Sequence, residues 1–295
     1  MSIDWESIFT AWAKPPSKSE QERCENAESA IRNAIAKSNK LKYRNIKVFT
    51  QGSYRNRVNV RKDSDVDVGI LCFDTFNPDY PEGIDAKSLG HSDATYHYSV
   101  FKNEVEEALV DYFGGRAVHR GNKAFDIHEN TYHVEADVTP FFEHRRYTSR
   151  TNYLSGVILY PDDGGRIINW PEQHYENGVT KNTATGRSYK GVVRILKSLR
   201  NLMDTADIAA TKPIIGFLIE CLVWNVPNHY FGHDTWDKDV QKALLYLWSN
   251  TKSDELCSEW GEVSELKYLF RGSPASKRQQ VYAFIDAAWS YVGVR

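Results

Sequence analysis

The amino-acid sequence predicts an α+β fold, a mixed sheet in the first half followed by a mainly helical second half. Three observations carry this expectation. Short apolar runs with period-two alternation occur at Ile46–Thr50, 65–72 and 131–138. From Arg187 onward the apolar residues recur at helical spacing instead. Between these patterns, residues 150–185 are rich in turn formers such as Asp162-Asp-Gly-Gly165 and Asn177-Gly178. The expected domains are therefore 1–150, with an N-terminal helix, and 151–295.

Element by element, Ser17-Lys-Ser-Glu starts a helix on which Ala27, Ala30, Ile31, Ala34 and Ile35 share one face. A strand at Ile46–Thr50 leads into Gln51-Gly52-Ser53 and a polar segment. The strand at 65–72 begins Asp65-Val-Asp-Val, and the strand at 131–138 is closed by Pro140. Helices are expected at 187–203, 213–225, 237–249 and 277–291, with Pro213 in a first turn, where its missing N–H costs nothing.

Composition narrows the function classes. Eight Trp and 41% hydrophobic residues among 295 provide for a packed core and argue against disorder. Lys and Arg total 37 against 39 Asp and Glu, so no generic nucleic-acid partner is expected, and any anion site must be a local cluster. No apolar run approaches a membrane span, and the first residues lack a signal-peptide pattern. The four cysteines form no CxxC pair, and the nine His show no metal-ligand spacing. A cytoplasmic protein with no membrane association is the expectation.

The chemistry concentrates in the carboxylates. Side chains on a strand alternate faces, so Asp65 and Asp67 project together while Val66 and Val68 face the other way. Two such acids repel unless a cation neutralises them, and hard Mg²⁺ takes oxygen ligands and recruits nucleotide phosphates. Upstream, Gly52 lets the backbone approach a phosphate, and the Ser53 hydroxyl can donate to it. Asp137 and Glu135 share a face of the later strand; either completes a carboxylate triad, and Asp137 is preferred. A bare DxD is commonly a solvated strand edge, but the composite of Gly-Ser, Asp-x-Asp and a later acid favours catalysis. On a helix from Arg187, the cations Arg187, Lys190, Arg194 and Lys197 form one stripe, with Val192, Val193, Leu196, Leu199 and Met203 on the apolar side.

Gln51-Gly-Ser-Tyr-Arg-Asn56, Asp63-Ser-Asp-Val-Asp-Val68 and Val134-Glu-Ala-Asp-Val138 resemble the DNA polymerase β-like nucleotidyltransferases. Among these, the chain resembles the bacterial cGAS/DncV-like enzymes (CD-NTases) of anti-phage CBASS operons. The likeness continues through Arg120-Gly-Asn-Lys-Ala-Phe125, 169–178, Tyr189-Lys-Gly-Val-Val-Arg194 and 220–227, and points to clade E. It implies a polymerase-β-like core and a C-terminal helical domain with a cleft between them. By resemblance, Gln51, Gly52 and Ser53 belong to the nucleotide site, and Lys190 and Lys197 hold a donor triphosphate. Gly216-Phe217 stands where relatives carry Ser-Tyr, so Phe217 can stack on a base but Gly216 supplies no hydroxyl. Asn169 is similar to the asparagine that reads uracil; its amide can accept from N3–H and donate to O4.

The implied reaction uses two Mg²⁺ ions, or Mn²⁺ in their place, held by Asp65, Asp67 and Asp137. UTP, with ATP as the expected second substrate, is joined into a cyclic dinucleotide such as cyclic UMP-AMP or cyclic di-UMP, which acts through a separate effector protein. Two alternatives stand beside it: a linear nucleotidyltransferase, and an inactive nucleotide sensor.

Overall fold

The computed structural model describes residues 3–60, 66–129 and 134–293. Asp63, Asp65 and the start of the expected strand at 131 lie outside the described residues. In chain order the elements are α1 (Trp5–Trp12), α2 (Lys18–Lys37), β1 (Ile46–Thr50), α3 (Gly52–Arg55), β2 (Val66–Asp79), α4 (Tyr98–Phe113), β3 (Val118–Arg120), β4 (Phe125–Glu129), β5 (Val134–Tyr147), β6 (Tyr153–Leu159) and β7 (Ile167–Asn169). They continue as α5 (Pro171–Ala184), α6 (Ser188–Thr205), α7 (Gly216–Trp224), α8 (Trp236–Asn250), α9 (Asp254–Cys257) and α10 (Ala275–Tyr291).

Two compact units result. The sheet unit comprises Ser17–Arg55 and the described part of Lys62–Pro171; the helical unit comprises the described parts of Met1–Pro16, Asn56–Arg61 and Glu172–Arg295. The division expected after residue 150 thus falls at 171, because β6 and β7 pair onto the sheet. The N-terminal segment also divides: α2 packs in the sheet unit, and α1 in the helical one.

In the sheet unit the strands run in the order β1-β2-β5-β4-β3, with β6 on the far end of β5 and β7 beyond it. β2 and β5 are parallel, and the other pairs are antiparallel. Ala27, Ile31 and Ile35 of α2 and Phe101, Val105 and Leu109 of α4 are buried with Val68, Ile70 and Val138 of the sheet. Helix α2 starts at a capping box, in which the Ser17 hydroxyl accepts from the Glu20 N–H and the Glu20 carboxylate accepts from the Ser17 N–H.

The structure corrects the expected end at Pro140. Strand β5 continues to Tyr147, and Pro140 pairs in register with Ile70. On its other side the pairing with β4 stops at Phe125 opposite Val138 and the pairing with β6 starts at Ile158 opposite Phe142, so no ladder bond is asked of Pro140's absent N–H. Its carbonyl accepts a hydrogen bond from the Tyr98 hydroxyl at 2.9 Å.

In the helical unit, Val192, Val193, Leu196, Leu199 and Met203 of α6 pack with Phe9, Leu222, Leu244 and Phe284. Helix α7 begins at Gly216 after an extended Ile215, so Pro213 precedes the helix instead of lying in its first turn. All four cysteines are free thiols. No helix of the described residues is long and apolar enough to cross a membrane.

Candidate active site

Parallel pairing places Asp67 of β2 directly beside Asp137 of β5. Paired positions on neighbouring strands present their side chains on one face, about 5 Å apart. Val66, Val68, Ala136 and Val138 are buried on the opposite face, which fixes the two acids outward by the period of the strand. On the other side of Asp137, antiparallel pairing puts Asp126 of β4 at the matching position. Three carboxylates therefore stand in a row across three strands. Asp126 was missed in the sequence because the short run Phe125–Glu129 gives too few residues for an alternation signal.

Glu135, the other candidate for the third acid, is exposed and forms an ion pair with Arg23 at 3.0 Å. Arg23 gives it a counter-charge of its own. A row of hard oxygen donors on one face suits a divalent cation, which would relieve the repulsion among them. Among the described residues, no three acids, histidines or cysteines converge on a single point. Asp65, two residues before Asp67, lies outside those residues.

The Gln51–Ser53 turn is built against Asp67. The Gln51 N–H donates to the Asp67 carbonyl at 2.9 Å. Gly52 has φ 66°, and a β-carbon built on it would sit 2.7 Å from Asp67 Cγ. Glycine is required on both counts. Ser53 follows at the start of α3, partly exposed.

Asn169 is exposed at the end of β7, with Trp170 buried directly after it. The Trp170 ring meets His144 edge-on at 5.3 Å between centroids, and the Arg146 guanidinium lies 4.6 Å from its centroid. Gly156 of β6 makes this packing possible: a β-carbon there would lie 2.7 Å from the indole ring and 2.9 Å from the Asn169 carbonyl oxygen.

In the helical unit the four-cation stripe resolves into different roles. Arg187 is the left-handed residue before α6 and is exposed. Arg194 is buried and structural; its guanidinium donates to the Ala13 carbonyl and, at 2.6 Å, to the Arg57 carbonyl. Burial with Arg57 nearby lowers its pKa to about 10. Lys190 and Lys197 remain. Burial lowers the pKa of Lys190, whose ammonium lies 5.7 Å from the Tyr175 ring centroid. Burial also lowers that of Lys197, against the opposing charge of Glu220, whose carboxylate is 3.6 Å away. Phe217 is 44% exposed, so it belongs to a surface and not to the core suggested by its apolar neighbours. Its ring lies 5.8 Å from that of His174.

Residues 176–293 match the family model of the cGAS/DncV-like nucleotidyltransferase C-terminal helical domain. A cyclic dipyrimidine nucleotide synthase CdnE of Legionella pneumophila is 43% identical over 99% of both chains. This chain belongs to the cGAS/DncV-like nucleotidyltransferases. A family member from Elizabethkingia meningoseptica, a cyclic dipurine nucleotide synthase, is 35% identical over 96% of both chains. Among solved cGAS/DncV-like structures, the Rhodothermus marinus CdnE c-UMP-AMP synthase with Apcpp and Upnpp aligns with a TM-score of 0.84. It is 27% identical and covers 98% of each chain. Base choice differs between these relatives, so membership of the family alone does not fix it.

Proposed function

We propose that the chain is a Mg²⁺-dependent cyclic dinucleotide synthase that joins two nucleoside triphosphates, at least one of them UTP, and releases pyrophosphate. The observation that carries this reading is the side-by-side placement of Asp67 and Asp137 with the Gly52 turn packed against Asp67. Full-length relatives named as cyclic nucleotide synthases support it.

Asp67 and Asp137 of the sheet unit, together with Asp65, would hold the divalent ions. When bound, these ions supply Lewis acidity and offset the charge of the leaving pyrophosphate. Asp137 accepts the proton of the acceptor 3′-hydroxyl as its oxygen attacks the donor α-phosphorus. One P–O bond forms, the α–β P–O bond breaks, and pyrophosphate leaves in line. Gly52 and Ser53 donate to phosphate oxygens, with Gln51 fixing the turn. A second transfer of the same kind closes the linear dinucleotide.

In the helical unit, Lys190 and Lys197 supply positive charge for the donor triphosphate, and Phe217 offers an exposed ring for base stacking. Asn169 reads a pyrimidine edge. Its amide fits uracil in one orientation and cytosine in the other, so it selects against purines more strongly than between pyrimidines. The product, such as cyclic UMP-AMP or cyclic di-UMP, serves as a second messenger for a separate effector in anti-phage defence.

Incubation of the purified protein with Mg²⁺ and α-labelled nucleoside triphosphates, followed by phosphatase, tests the proposal. A phosphatase-resistant product containing UMP is expected. A phosphatase-sensitive product points to linear transfer, and absence of any product points to a nucleotide sensor.

A further inference from the structure

The helical unit buries a carboxylate that the reaction does not consume. Glu220 on α7 is 3% exposed, one helical turn from Phe217. A buried carboxylate is costly unless it is paired, and replacing such a pair with apolar residues is often neutral or stabilising. Stability alone therefore gives weak grounds for placing an acid here, and its contacts indicate another use.

The two Glu220 oxygens serve different partners. Oε1 is 2.9 Å from His174 Nε2, and Oε2 is 3.6 Å from Lys197 Nζ. Burial raises the Glu220 pKa, but Lys197 and His174 outweigh it and leave the carboxylate ionised. The 3.6 Å separation is longer than a formed hydrogen bond, so Glu220 attracts the ammonium while leaving its donors available to a phosphate oxygen. The stem of Lys197 runs past the first turn of α7, with Cε 3.5 Å from where a Gly216 β-carbon would stand. On the other arm, the His174 ring lies at 31° to the Phe217 ring, 5.8 Å away.

We infer that Glu220 is a positioning residue for nucleotide binding, fixing the Lys197 ammonium directly and the Phe217 ring through His174. The inference rests on the roles proposed above for Lys197 and Phe217. Glu220 touches neither substrate nor reacting atoms; it sets where two substrate-facing groups stand. Losing its charge leaves Lys197 as a buried cation without a counter-charge, which favours the neutral amine and weakens its hold on a triphosphate.

The test is a double-mutant cycle read by equilibrium binding of a non-hydrolysable β,γ-imido UTP, with KM and kcat measured in parallel. Glu220→Gln keeps the shape and is expected to weaken binding roughly tenfold and raise KM. Lys197→Met is expected to do the same. Because the amide oxygen introduced by Glu220→Gln still accepts from His174 and keeps the Phe217 arm, Glu220→Gln combined with Lys197→Met should bind no more weakly than Lys197→Met alone. A purely structural role would lower the active fraction, and with it apparent kcat, while the folded molecules bound normally. If Glu220→Gln does not fold because it strands Lys197 as an unpaired buried cation, the double variant, which removes both charges, is compared with Lys197→Met and still decides the question. Binding by Glu220→Gln within twofold of wild type, or a double variant markedly weaker than Lys197→Met, overturns the inference. Wild-type protein that binds the analogue yet releases no pyrophosphate overturns the synthase reading instead and leaves the role of Glu220 intact.

Discussion

Gly52 and Asp67 are in contact across the turn that leaves β1. The Gln51 N–H bonds to the Asp67 carbonyl, and the Asp67 carboxyl carbon occupies space that any β-carbon at position 52 would enter. The turn proposed to cradle phosphate and the strand proposed to hold metal are therefore one packed unit, and a change to either disturbs both. Gly52→Ala must push Asp67 aside and hold φ near 66° against steric cost. A stability loss of about 1–3 kcal/mol is expected, with activity falling by two orders of magnitude or so. Chemical denaturation beside a pyrophosphate-release assay checks both.

The seat of Asn169 is expected to set base choice. Gly156→Ala would drive a methyl group into Trp170 and the Asn169 carbonyl. The variant should lose about 1–3 kcal/mol of stability and some preference for UTP over ATP and GTP. Asn169→Ser should relax the same preference without the stability loss, because Asn169 is exposed. Competition among the four triphosphates, resolved by mass spectrometry of the products, measures the shift. Unchanged pyrimidine preference in Asn169→Ser would remove that residue from base recognition.

Neighbouring cations on α6 should respond in opposite ways. Arg194→Met leaves the Ala13 and Arg57 carbonyls without their donor, so it should cost about 3 kcal/mol of stability with little change in KM. Lys190→Met removes a buried charge, so stability should hold or rise, while KM for triphosphate rises roughly tenfold. Melting curves and steady-state kinetics on the two variants separate the roles.

Burial lowers the pKa of both Lys190 and Lys197 below the ordinary lysine value of 10.5. Each holds an anion only while protonated. As pH rises the charge is lost earlier than on an ordinary lysine, so triphosphate affinity should start to fall at lower pH than ordinary lysine titration would give. ATP suits the measurement, since its phosphates are fully ionised and its base does not titrate above about pH 8. Binding of ATP that stays constant until lysines titrate normally would place these two away from the triphosphate.

Much of the fold was legible because burial imposes a period. Ala27 to Ile35, the alternation at Asp67 and the apolar side of α6 each follow directly from a buried face. Residues 150–185 were opaque because β7 has only three residues and because Asn177-Gly178, a turn signal in sequence, lies inside helix α5 with Gly178 buried. Unrecognised pairing of β6 and β7 is also why the expected boundary fell too early. Pro140 misled because a local rule about proline cannot know that it falls in the gap between the β4 and β6 pairings. At the site, the acids and the glycine turn were visible as chemistry in sequence, whereas the Asp67–Asp137 pairing is a fact of register. Spacing alone could not tell Arg194 from Lys197 on one stripe. Only their partners, two backbone carbonyls against one buried carboxylate, separate a structural brace from the proposed phosphate ligand.

The proposed binding of a catalytic cation by the paired carboxylates is tested most directly by pyrophosphate release in Asp67→Asn and Asp137→Asn. With Mg²⁺, UTP and ATP, wild type should release pyrophosphate, and each variant should fall at least about a thousandfold while melting at or above the wild-type temperature, because repulsion between the acids is relieved. Variants that kept wild-type turnover, or that lost activity only by unfolding, would contradict it.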